Sequence, residues 1–448
     1  MNKDIFFSSL DSIFDKNDLK TDSPNKEKYR NDWSTNFQSD PIAVAFPKTV
    51  EQVCDVVKLC NEFSFPIVGS GGRTGLSGGA SALSNELIIS FEKMNALIDF
   101  DEKSKTVLCQ PGMITQNLQS FADDNNLYYP VNFSSAGSSQ IGGNIATNAG
   151  GIRVIKYGLT SRYVVGLDVV TGGGSFLTLD NMLVKDATGP DIKNFFIGSE
   201  GIFALTTSCR IQLVTKPEDT NVVLIGFNNI SSLDAVIKST LGFDIEAIEF
   251  FTRNSINSVD DEFDSVDIKH LDNNYYLIVE LYDQSQFSES LEKLYQDGFA
   301  QEIIVSSSNS QKESIWQYRL LISESISRKA PIKFDVAVPV NNIVHLISDL
   351  EAFFKVHSSC HLILFGHLGD GNLHVNILKN KPINISLEED IYNMVINLGG
   401  TISAEHGIGA NKIKPFMKHA NKTKIGLIKN LKNYFDPNAI LNPGKLVK

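Results

Sequence analysis

Residues 68–80 read VGSGGRTGLSGGA and contain six glycines in thirteen positions. The first of these residues, Val68, is also the last residue of the apolar segment FPIV at residues 65–68. Backbone N–H groups in such a loop can converge on an anion such as a phosphate. The spacing does not match the dinucleotide-binding pattern G-x-G-x-x-G, because Thr74 stands where the third glycine would fall. No Gly-Lys-Ser/Thr follows, as a P-loop would require. The loop therefore predicts an anion-binding site of neither of these two kinds.

A second loop of small residues, SSAGSSQIGGNIATNAGG, covers residues 134–151, and Ile141 and Ile145 give it two apolar anchor points. A third segment, FFIGSEGIFALTT at residues 195–207, places Glu200 between small residues ahead of an apolar strand. Glycine allows backbone amides to approach a ligand closely. Two loops with so few large side chains indicate a large, flat ligand that lies against the backbone.

The segments GSGGRTGLSGGA, IGGNIATNAGG-x-R-x-x-x-YG and FIGSEG resemble the FAD-binding domain of the vanillyl-alcohol-oxidase-type flavoproteins. Within that superfamily the chain is most similar to the branch of D-2-hydroxyglutarate and D-lactate dehydrogenases, from about residue 29 to residue 448. The resemblance implies an α+β protein with a PCMH-type FAD-binding domain and an antiparallel-sheet α+β substrate (cap) domain. Neither glycine loop contains a histidine, so a histidyl–flavin bond there is excluded and noncovalent FAD is expected.

The resemblance also implies which residues contact FAD. The first loop would hold the pyrophosphate through Gly69, Ser70, Gly71, Gly72, Arg73, Thr74 and Gly75. The second would follow the flavin and ribityl chain through Pro130, Gly137, Ser138, Gly142, Gly143, Asn144, Thr147, Asn148 and Gly151. The remaining expected contacts are Glu200, Gly201 and Ile202 of the FIGSEG segment, and Asn442.

The composition argues against several classes of protein. Fifty-two acidic against forty basic residues give a net charge of −12, which disfavours binding to nucleic acid or anionic lipid. Five scattered cysteines form no C-x-x-C pair, so iron–sulfur and zinc-ribbon sites have no support. The amino terminus lacks a signal-peptide pattern, and no apolar run approaches eighteen residues. We therefore expect a cytoplasmic protein without a transmembrane segment.

Two histidines flank a turn in HLGDGNLHVN, residues 367–376. The Asp-Gly dipeptide in its middle favours a two-residue type I′ turn, which would pair His367 with His374 across a hairpin. Directly opposed residues share one face of a sheet, and Asn376 joins that face two positions further on. A longer turn would change this register. The hairpin predicts a pair of imidazoles placed together, as a metal site requires.

Glu405 and His406 lie in a second segment, SAEHGIGA at residues 403–410, whose small residues allow close approach. Two histidines and one glutamate form a known catalytic zinc set that leaves one coordination position open for substrate. The same set of ligands also accepts manganese, cobalt or iron. H-L-G-D-G-N-L-H-x-N and S-A-E-H-G-I-G match the carboxyl-terminal motifs of the same dehydrogenase branch. The match implies His367, His374 and Glu405 as metal ligands. It implies His406 as the catalytic base, and histidine suits proton transfer near neutral pH.

An anionic substrate requires a cation. In WQYRLLISES, residues 316–325, Arg319 and Ser323 are four positions apart on one helix face, and Lys333 follows on a strand. A guanidinium binds a carboxylate through two hydrogen bonds. Taken alone, Arg319 fits a surface position on an amphipathic helix. The family pattern R-x-x-x-[TS] followed by K-x-D favours substrate binding by these three residues, and Asn376 is the fourth expected substrate contact.

The chain is predicted to divide into four parts. Residues 1–35 form a polar lead-in, 36–216 the FAD-binding PCMH-type domain, and 217–421 the substrate-binding domain with the metal site. The proline-bearing segment TKPEDT at residues 215–220 marks the border between the two domains. Residues 422–448 would return to the first domain.

The hypothesis that follows is an FAD-dependent dehydrogenase that oxidises a D-2-hydroxyacid, with D-2-hydroxyglutarate as first choice and 2-oxoglutarate as product. A D-lactate dehydrogenase and a glycolate oxidase-type subunit are the alternatives. The electron acceptor is open between an electron-transfer flavoprotein, a quinone and a cytochrome, and NAD is disfavoured because a Rossmann pattern is absent. We expect no nucleic-acid partner, and the sequence leaves a homodimer open.

Overall fold

The computed structural model describes residues 2–34, 37–183, 185–259, 271–282, 284–357, 360–379 and 386–447. The chain separates into two compact units. The first unit contains residues 1–151, 158–216 and 405–448, and the second contains residues 152–157 and 217–404.

The last border differs from the sequence-based division. The return to the first unit begins at Glu405, whereas the sequence placed it at residue 422. The cause is a pair of hydrogen bonds, in which two backbone amides of the loop after Glu405 donate to the carboxylate of Glu200 in the first unit. The short segment 152–157 belongs to the second unit, because Arg153 forms ion pairs with two buried glutamates there.

The secondary structure of the described residues mixes helices and strands. The strands, numbered in chain order, are β1 (Leu19–Lys20), β2 (Ala43–Ala45), β3 (Ile67–Ser70), β4 (Leu87–Ser90), β5 (Leu97–Asp101), β6 (Thr106–Cys109), β7 (Leu127–Tyr128), β8 (Val164–Thr171), β9 (Phe176–Thr178), β10 (Ala204–Gln212), β11 (Val214–Thr215), β12 (Asn221–Phe227), β13 (Ile245–Thr252), β14 (Tyr275–Leu281), β15 (Glu302–Val305), β16 (Ile332–Ala337), β17 (Cys360–His367) and β18 (Asn372–Lys379).

The α-helices are numbered in the same way. They are α1 (Asn2–Ile13), α2 (Ser23–Glu27), α3 (Val50–Phe63), α4 (Thr115–Asp124), α5 (Ile141–Thr147), α6 (Val154–Tyr157), α7 (Ser232–Ser239), α8 (Arg253–Ile256), α9 (Gln284–Gln296), α10 (Asn309–Arg328), α11 (Ile343–Val356), α12 (Ser386–Asn397), α13 (Ile413–His419) and α14 (Lys422–Phe435). Within the part of the chain that is described, no helix combines the length and the apolar character needed to cross a bilayer.

Two larger sheets form the first unit. Strands β1, β2, β4 and β3 lie side by side in that order, with β2, β4 and β3 parallel and β1 antiparallel. A five-stranded antiparallel sheet has the order β5-β6-β10-β8-β9, and β11 pairs with β7 in a short separate ladder. The first glycine loop therefore leaves the sheet at the carboxyl end of a parallel strand, β3.

Helix α3 covers the parallel sheet. Thr49 caps its amino end by accepting a hydrogen bond from the amide of Gln52, which satisfies one of the free N–H groups of the first turn. Its buried residues are Val53, Val56, Val57, Leu59 and Cys60. Phe6 and Leu10 of α1 are buried in the same cluster, so the polar lead-in contributes to the core of the first unit.

A seven-stranded antiparallel sheet forms the second unit, in the order β15-β12-β14-β13-β17-β18-β16. Helix α10 packs an apolar face that includes Ile315, Ile322 and Ile326 into the same cluster as side chains of this sheet. Strand β13 was not predicted, since its sequence IEAIEFFT places two glutamates among the apolar residues. This strand lies next to β17, which carries the first of the two histidines.

We expect Phe6→Ala to lower the free energy of unfolding by about 3–5 kcal/mol, because removal of a buried ring leaves a cavity. The Phe6 ring is fully buried and lies 4.3 Å from the Phe65 ring, centroid to centroid. Ile5→Ala is the matched control, since Ile5 is 50% exposed and its loss should change stability by no more than about 0.5 kcal/mol. Urea unfolding followed by circular dichroism measures both, and equal effects would contradict the packing of α1.

Candidate active site

The two glycine loops border a cavity of about 290 Å³ in the first unit. The predicted cofactor residues that line it are Gly69, Ser70, Gly71, Gly72, Arg73, Thr74, Gly75, Gly142, Gly143, Asn144, Thr147, Glu200, Gly201 and Asn442. The predicted residues outside its lining are Pro130, Gly137, Ser138, Asn148, Gly151 and Ile202. Glu405 and His406, which the sequence assigned to metal binding and proton transfer, line the same cavity.

The close approach of the two loops requires glycine at position 72. A Cβ atom at Gly72 would lie 2.1 Å from the carbonyl oxygen of Ser138, so any larger residue would force the loops apart. At Gly143 the situation is the opposite, because no described heavy atom lies within 4 Å of the position a Cβ would take. Bare backbone faces the cavity there, which allows a flat ligand to lie against the loop.

Arg73 contributes backbone to the cavity, while the charge of its side chain is paired within the protein. Its Nη2 atom lies 3.1 Å from Oε1 of Glu92, and its guanidinium carbon lies 4.5 Å from the centroid of the Tyr29 ring. The first glycine loop therefore presents amides rather than an unpaired cation to a ligand.

Glu200 holds the loop that follows the predicted base, His406. Its Oε1 accepts a hydrogen bond from the amide of Ile408 at 2.7 Å, and its Oε2 accepts one from the amide of Gly409 at 2.6 Å. Burial raises the pKa of the Glu200 carboxyl, against the lowering effect of the two amides. The carboxylate that lines the cavity wall is thus also the anchor of the segment that carries Glu405 and His406.

Asn442 ties the carboxyl-terminal segment to the same wall. Its Nδ2 donates to the backbone carbonyl of Glu200 at 2.6 Å, and its Oδ1 accepts from Nζ of Lys445 at 3.3 Å. Lys445 is buried among Asp32, Glu86 and Glu200, and burial lowers the pKa of its ammonium group to about 8 despite these carboxylates. The carboxyl-terminal segment therefore supports the part of the cavity wall that contains Glu200.

The histidine hairpin of the second unit has a longer turn than the sequence predicted, so the predicted register is wrong. Residues Leu368–Asp370 form a 3₁₀ turn, which Gly371 closes with a φ of +78°, a left-handed conformation that favours glycine. The longer turn shifts the register by two positions, and His374 lies opposite Phe365 instead of His367. Because side chains alternate with a period of two, both histidines still share one face.

The two imidazoles meet at their Nε2 atoms, which are 3.3 Å apart. Two nitrogen ligands at about 2.0–2.1 Å from a tetrahedral zinc ion would be separated by about 3.3–3.4 Å. The other ring nitrogens lie beside carboxylates: Nδ1 of His367 is 2.6 Å from Oε1 of Glu249, and Nδ1 of His374 is 3.7 Å from Oδ1 of Asp335. A carboxylate at Nδ1 leaves Nε2 available to a metal. The histidine pair therefore fits a divalent metal.

Glu249 lies at the centre of this group, and sequence reasoning missed it. It is fully buried on β13, directly opposite His367 on β17. Its Oε2 pairs with Nε of Arg319 on α10 at 2.8 Å. The signal in the sequence was a carboxylate in the middle of an apolar strand, because a buried charge requires a partner.

Arg319 and Ser323 lie together, as their spacing predicted. Nη1 of Arg319 donates to Oγ of Ser323 at 3.0 Å, and its guanidinium carbon lies 4.5 Å from the centroid of the Phe365 ring. Only 4% of Arg319 is exposed. The surface position that an amphipathic helix would allow is therefore excluded, and the ion pair with Glu249 was not anticipated.

The two remaining predicted substrate residues face each other on neighbouring strands. Lys333 on β16 is directly opposite Asn376 on β18, two positions along the strand from His374. The Nζ atom of Lys333 donates to Oγ of Ser327 at 3.0 Å, one helical turn beyond Ser323. In the second unit, Lys333, Asn376 and the two histidines thus share one face of the sheet. Arg319 and Ser323 lie on helix α10, which packs against the sheet.

We expect Glu200→Gln to lower the free energy of unfolding by about 1–3 kcal/mol, because the glutamine NH₂ group would meet one of the two backbone N–H donors and leave it unsatisfied. Glu102→Gln is the control, since Glu102 is exposed and should change stability by about 0.5 kcal/mol at most. Thermal and urea unfolding measure both variants. If Glu200→Gln were as stable as the control, the carboxylate would not anchor the loop after His406.

The chain matches two known families. Residues 41–180 match the family described as "FAD binding domain", and residues 216–446 match the family described as "FAD linked oxidases, C-terminal domain". The residues of the glycine loops fall within the first match, and the histidine hairpin and the SAEHGIGA segment fall within the second.

Relatives and a solved structure are similar over nearly the whole chain. The chain is 36% identical to a D-2-hydroxyglutarate dehydrogenase of Stutzerimonas stutzeri, over 100% of this chain and 99% of the relative. It is 31% identical to a putative mitochondrial D-lactate dehydrogenase of Schizosaccharomyces pombe, over 97% and 87%. A structure of p-cresol methylhydroxylase with substrate bound superimposes with a TM-score of 0.77 at 15% identity, over 99% of this chain and 96% of that one.

These likenesses confirm the predicted fold and family. The solved structure shows the α+β fold with a PCMH-type FAD-binding domain, and the family matches establish FAD as the cofactor. With 36% identity over its full length to the relative from Stutzerimonas stutzeri, the chain belongs to the FAD-linked oxidase family, in its D-2-hydroxyacid dehydrogenase branch, and is an FAD-dependent oxidoreductase.

Proposed function

We propose that this chain oxidises D-2-hydroxyglutarate to 2-oxoglutarate with the help of a divalent metal, preferably zinc. The observation that carries the proposal is the pair of Nε2 atoms of His367 and His374, 3.3 Å apart, with the buried Arg319 joined to His367 through Glu249. A hydroxyacid offers a hydroxyl group to such a metal and a carboxylate to such a cation. The relative that is named D-2-hydroxyglutarate dehydrogenase supports the choice of substrate.

Glu405 is the proposed third metal ligand. Ala404 donates its backbone N–H to the carboxylate of Asp335 at 3.2 Å, and Asp335 lies opposite His374 in the ladder of β16 and β18. Glu405 is the next residue along the chain, so it directly follows the residue whose amide is bound to Asp335. A divalent metal on these ligands supplies a Lewis acid that makes a bound hydroxyl group more acidic.

His406 is the proposed catalytic base. It lines the cavity of the glycine loops and follows the proposed ligand Glu405 directly in the chain. It would accept the proton of the 2-hydroxyl group while the C2–H bond breaks, so that the alcohol becomes a ketone. FAD, bound noncovalently in the cavity, supplies the acceptor for the hydride.

The substrate carboxylates are assigned to Arg319, Ser323, Lys333 and Asn376. Arg319 retains N–H donors in addition to those paired with Glu249 and Ser323, since a guanidinium carries five. Lys333 is exposed and adds an ammonium group to the N–H donors of Arg319, which suits a substrate with two carboxylates. These residues would orient the substrate and would not take part in bond breaking.

D-lactate is the second candidate substrate, because the relative from Schizosaccharomyces pombe carries the name of a putative D-lactate dehydrogenase. An electron-transfer flavoprotein, a quinone or a cytochrome is proposed as the acceptor that reoxidises the flavin. A homodimer and a cytoplasmic location stay predictions from the sequence.

Anaerobic mixing with D-2-hydroxyglutarate should bleach the visible flavin band, because the oxidised flavin is converted to its reduced form. The L-isomer should leave the band intact, since metal, base and carboxylate contacts together accept one hand of the substrate. Bleaching by D-lactate alone would transfer the assignment to the second candidate. An unchanged spectrum with both acids would overturn the proposed function.

His406→Asn should lower kcat by about 10²- to 10⁴-fold, the usual contribution of general base catalysis, with KM nearly unchanged. The control is His345→Asn, since His345 is exposed on α11. Steady-state rates with an artificial dye as electron acceptor measure both variants. A His406→Asn enzyme with normal turnover would exclude this residue as the base.

A further inference from the structure

We propose that Glu249 is a positioning residue of the metal site, which holds His367 with its Nε2 atom directed at the metal while Arg319 balances the charge of Glu249. This inference rests on the proposed function for the presence of the metal. It concerns a residue that belongs neither to the metal ligands nor to the substrate contacts assigned above. The three side chains come from three separate elements, β13, β17 and α10.

The contacts of Glu249 use each carboxylate oxygen for one partner. Oε1 lies 2.6 Å from Nδ1 of His367, and Oε2 lies 2.8 Å from Nε of Arg319. Glu249 is 0% exposed, His367 8% and Arg319 4%. Because all three side chains are buried, water screens their mutual attraction only weakly.

The contact at Nδ1 determines which nitrogen of His367 can bind a metal. A neutral imidazole has one N–H group, and an acceptor at Nδ1 keeps the hydrogen there. The lone pair of Nε2 then faces Nε2 of His374, 3.3 Å away. Without the carboxylate, the ring could rotate or take the other tautomer, in which Nε2 carries the hydrogen and has no lone pair for a metal.

Asp335, the carboxylate beside the second histidine, accepts hydrogen bonds from other groups. Asp335 accepts hydrogen bonds from Nδ2 of Asn372 at 2.9 Å and from the amide of Ala404 at 3.2 Å. Its Oδ1 atom lies 3.7 Å from Nδ1 of His374, beyond hydrogen-bond distance. The contact of Glu249 with His367, at 2.6 Å, is therefore the closer of these two carboxylate–histidine contacts.

The test compares zinc affinity in Glu249→Gln and in a matched control, Glu280→Gln. Glutamine has one acceptor oxygen for the two donors, Nδ1 of His367 and Nε of Arg319, and it also loses the negative charge. Loss of a carboxylate behind a metal-binding histidine usually weakens metal affinity by about 10- to 100-fold. Glu280 lies on the neighbouring strand β14, is 1% exposed and pairs with Arg153 and Lys312, so it reports the loss of a buried carboxylate elsewhere in the same sheet.

Metal-free, FAD-loaded wild type and both variants are titrated with Zn²⁺ against a chromophoric chelator. Glu249→Gln should bind zinc about 10- to 100-fold more weakly, and Glu280→Gln should match the wild type. Equal zinc affinity in wild type and Glu249→Gln, or an equal loss in both variants, would overturn the proposal. A wild type that binds no zinc would overturn the metal assignment and this inference together, whereas flavin bleaching by the hydroxyacid would still test the dehydrogenase separately.

Glu249→Asp keeps the inference testable if the glutamine variant does not fold. Aspartate preserves the negative charge beside Arg319 but is one methylene shorter, so it should not reach Nδ1 of His367. Zinc affinity should again fall, while circular dichroism and the flavin spectrum stay unchanged. Full zinc affinity in a folded Glu249→Asp protein would show that contact with His367 is not what positions the ligand.

Discussion

A carboxylate that is shut off from water must find hydrogen-bond donors or cations inside the protein. Glu200 meets this requirement with two backbone amides of the loop after His406, and Glu249 meets it with His367 and Arg319. In each unit the partners of a buried acid therefore lie among the candidate site residues or next to them.

The two units supply different kinds of surface. In the first, the cavity wall is largely backbone, because Gly72 allows the loops to touch and Gly143 leaves a wall without a side chain. In the second, the face of a sheet presents side chains whose positions are set by strand register. A broad cofactor suits the first kind of surface, and a small substrate with several polar groups suits the second.

The sequence allowed the glycine loops and the shared face of the two histidines to be predicted, because both depend on local spacing. It did not reveal the register of the hairpin, since the length of the turn depends on how Leu368–Asp370 packs. Strand β13 was missed because Glu249 breaks its apolar pattern, and a buried acid becomes explicable only once its partners on β17 and α10 are known. The border at Glu405 depends on Glu200, about two hundred residues away, which no local pattern reports.

The first unit is assembled from pieces of the chain that the ribosome makes far apart in time. Ile67 exchanges backbone hydrogen bonds with Ile440 and Asn442, and residues 217–404 of the second unit are synthesised between them. Strands β12 to β18 are therefore all synthesised before residues 440–442 can pair with the edge strand β3. During translation the cofactor cavity therefore stays incomplete and the parallel sheet keeps an unpaired edge at β3 until the carboxyl-terminal segment is made, and an unpaired strand edge favours aggregation.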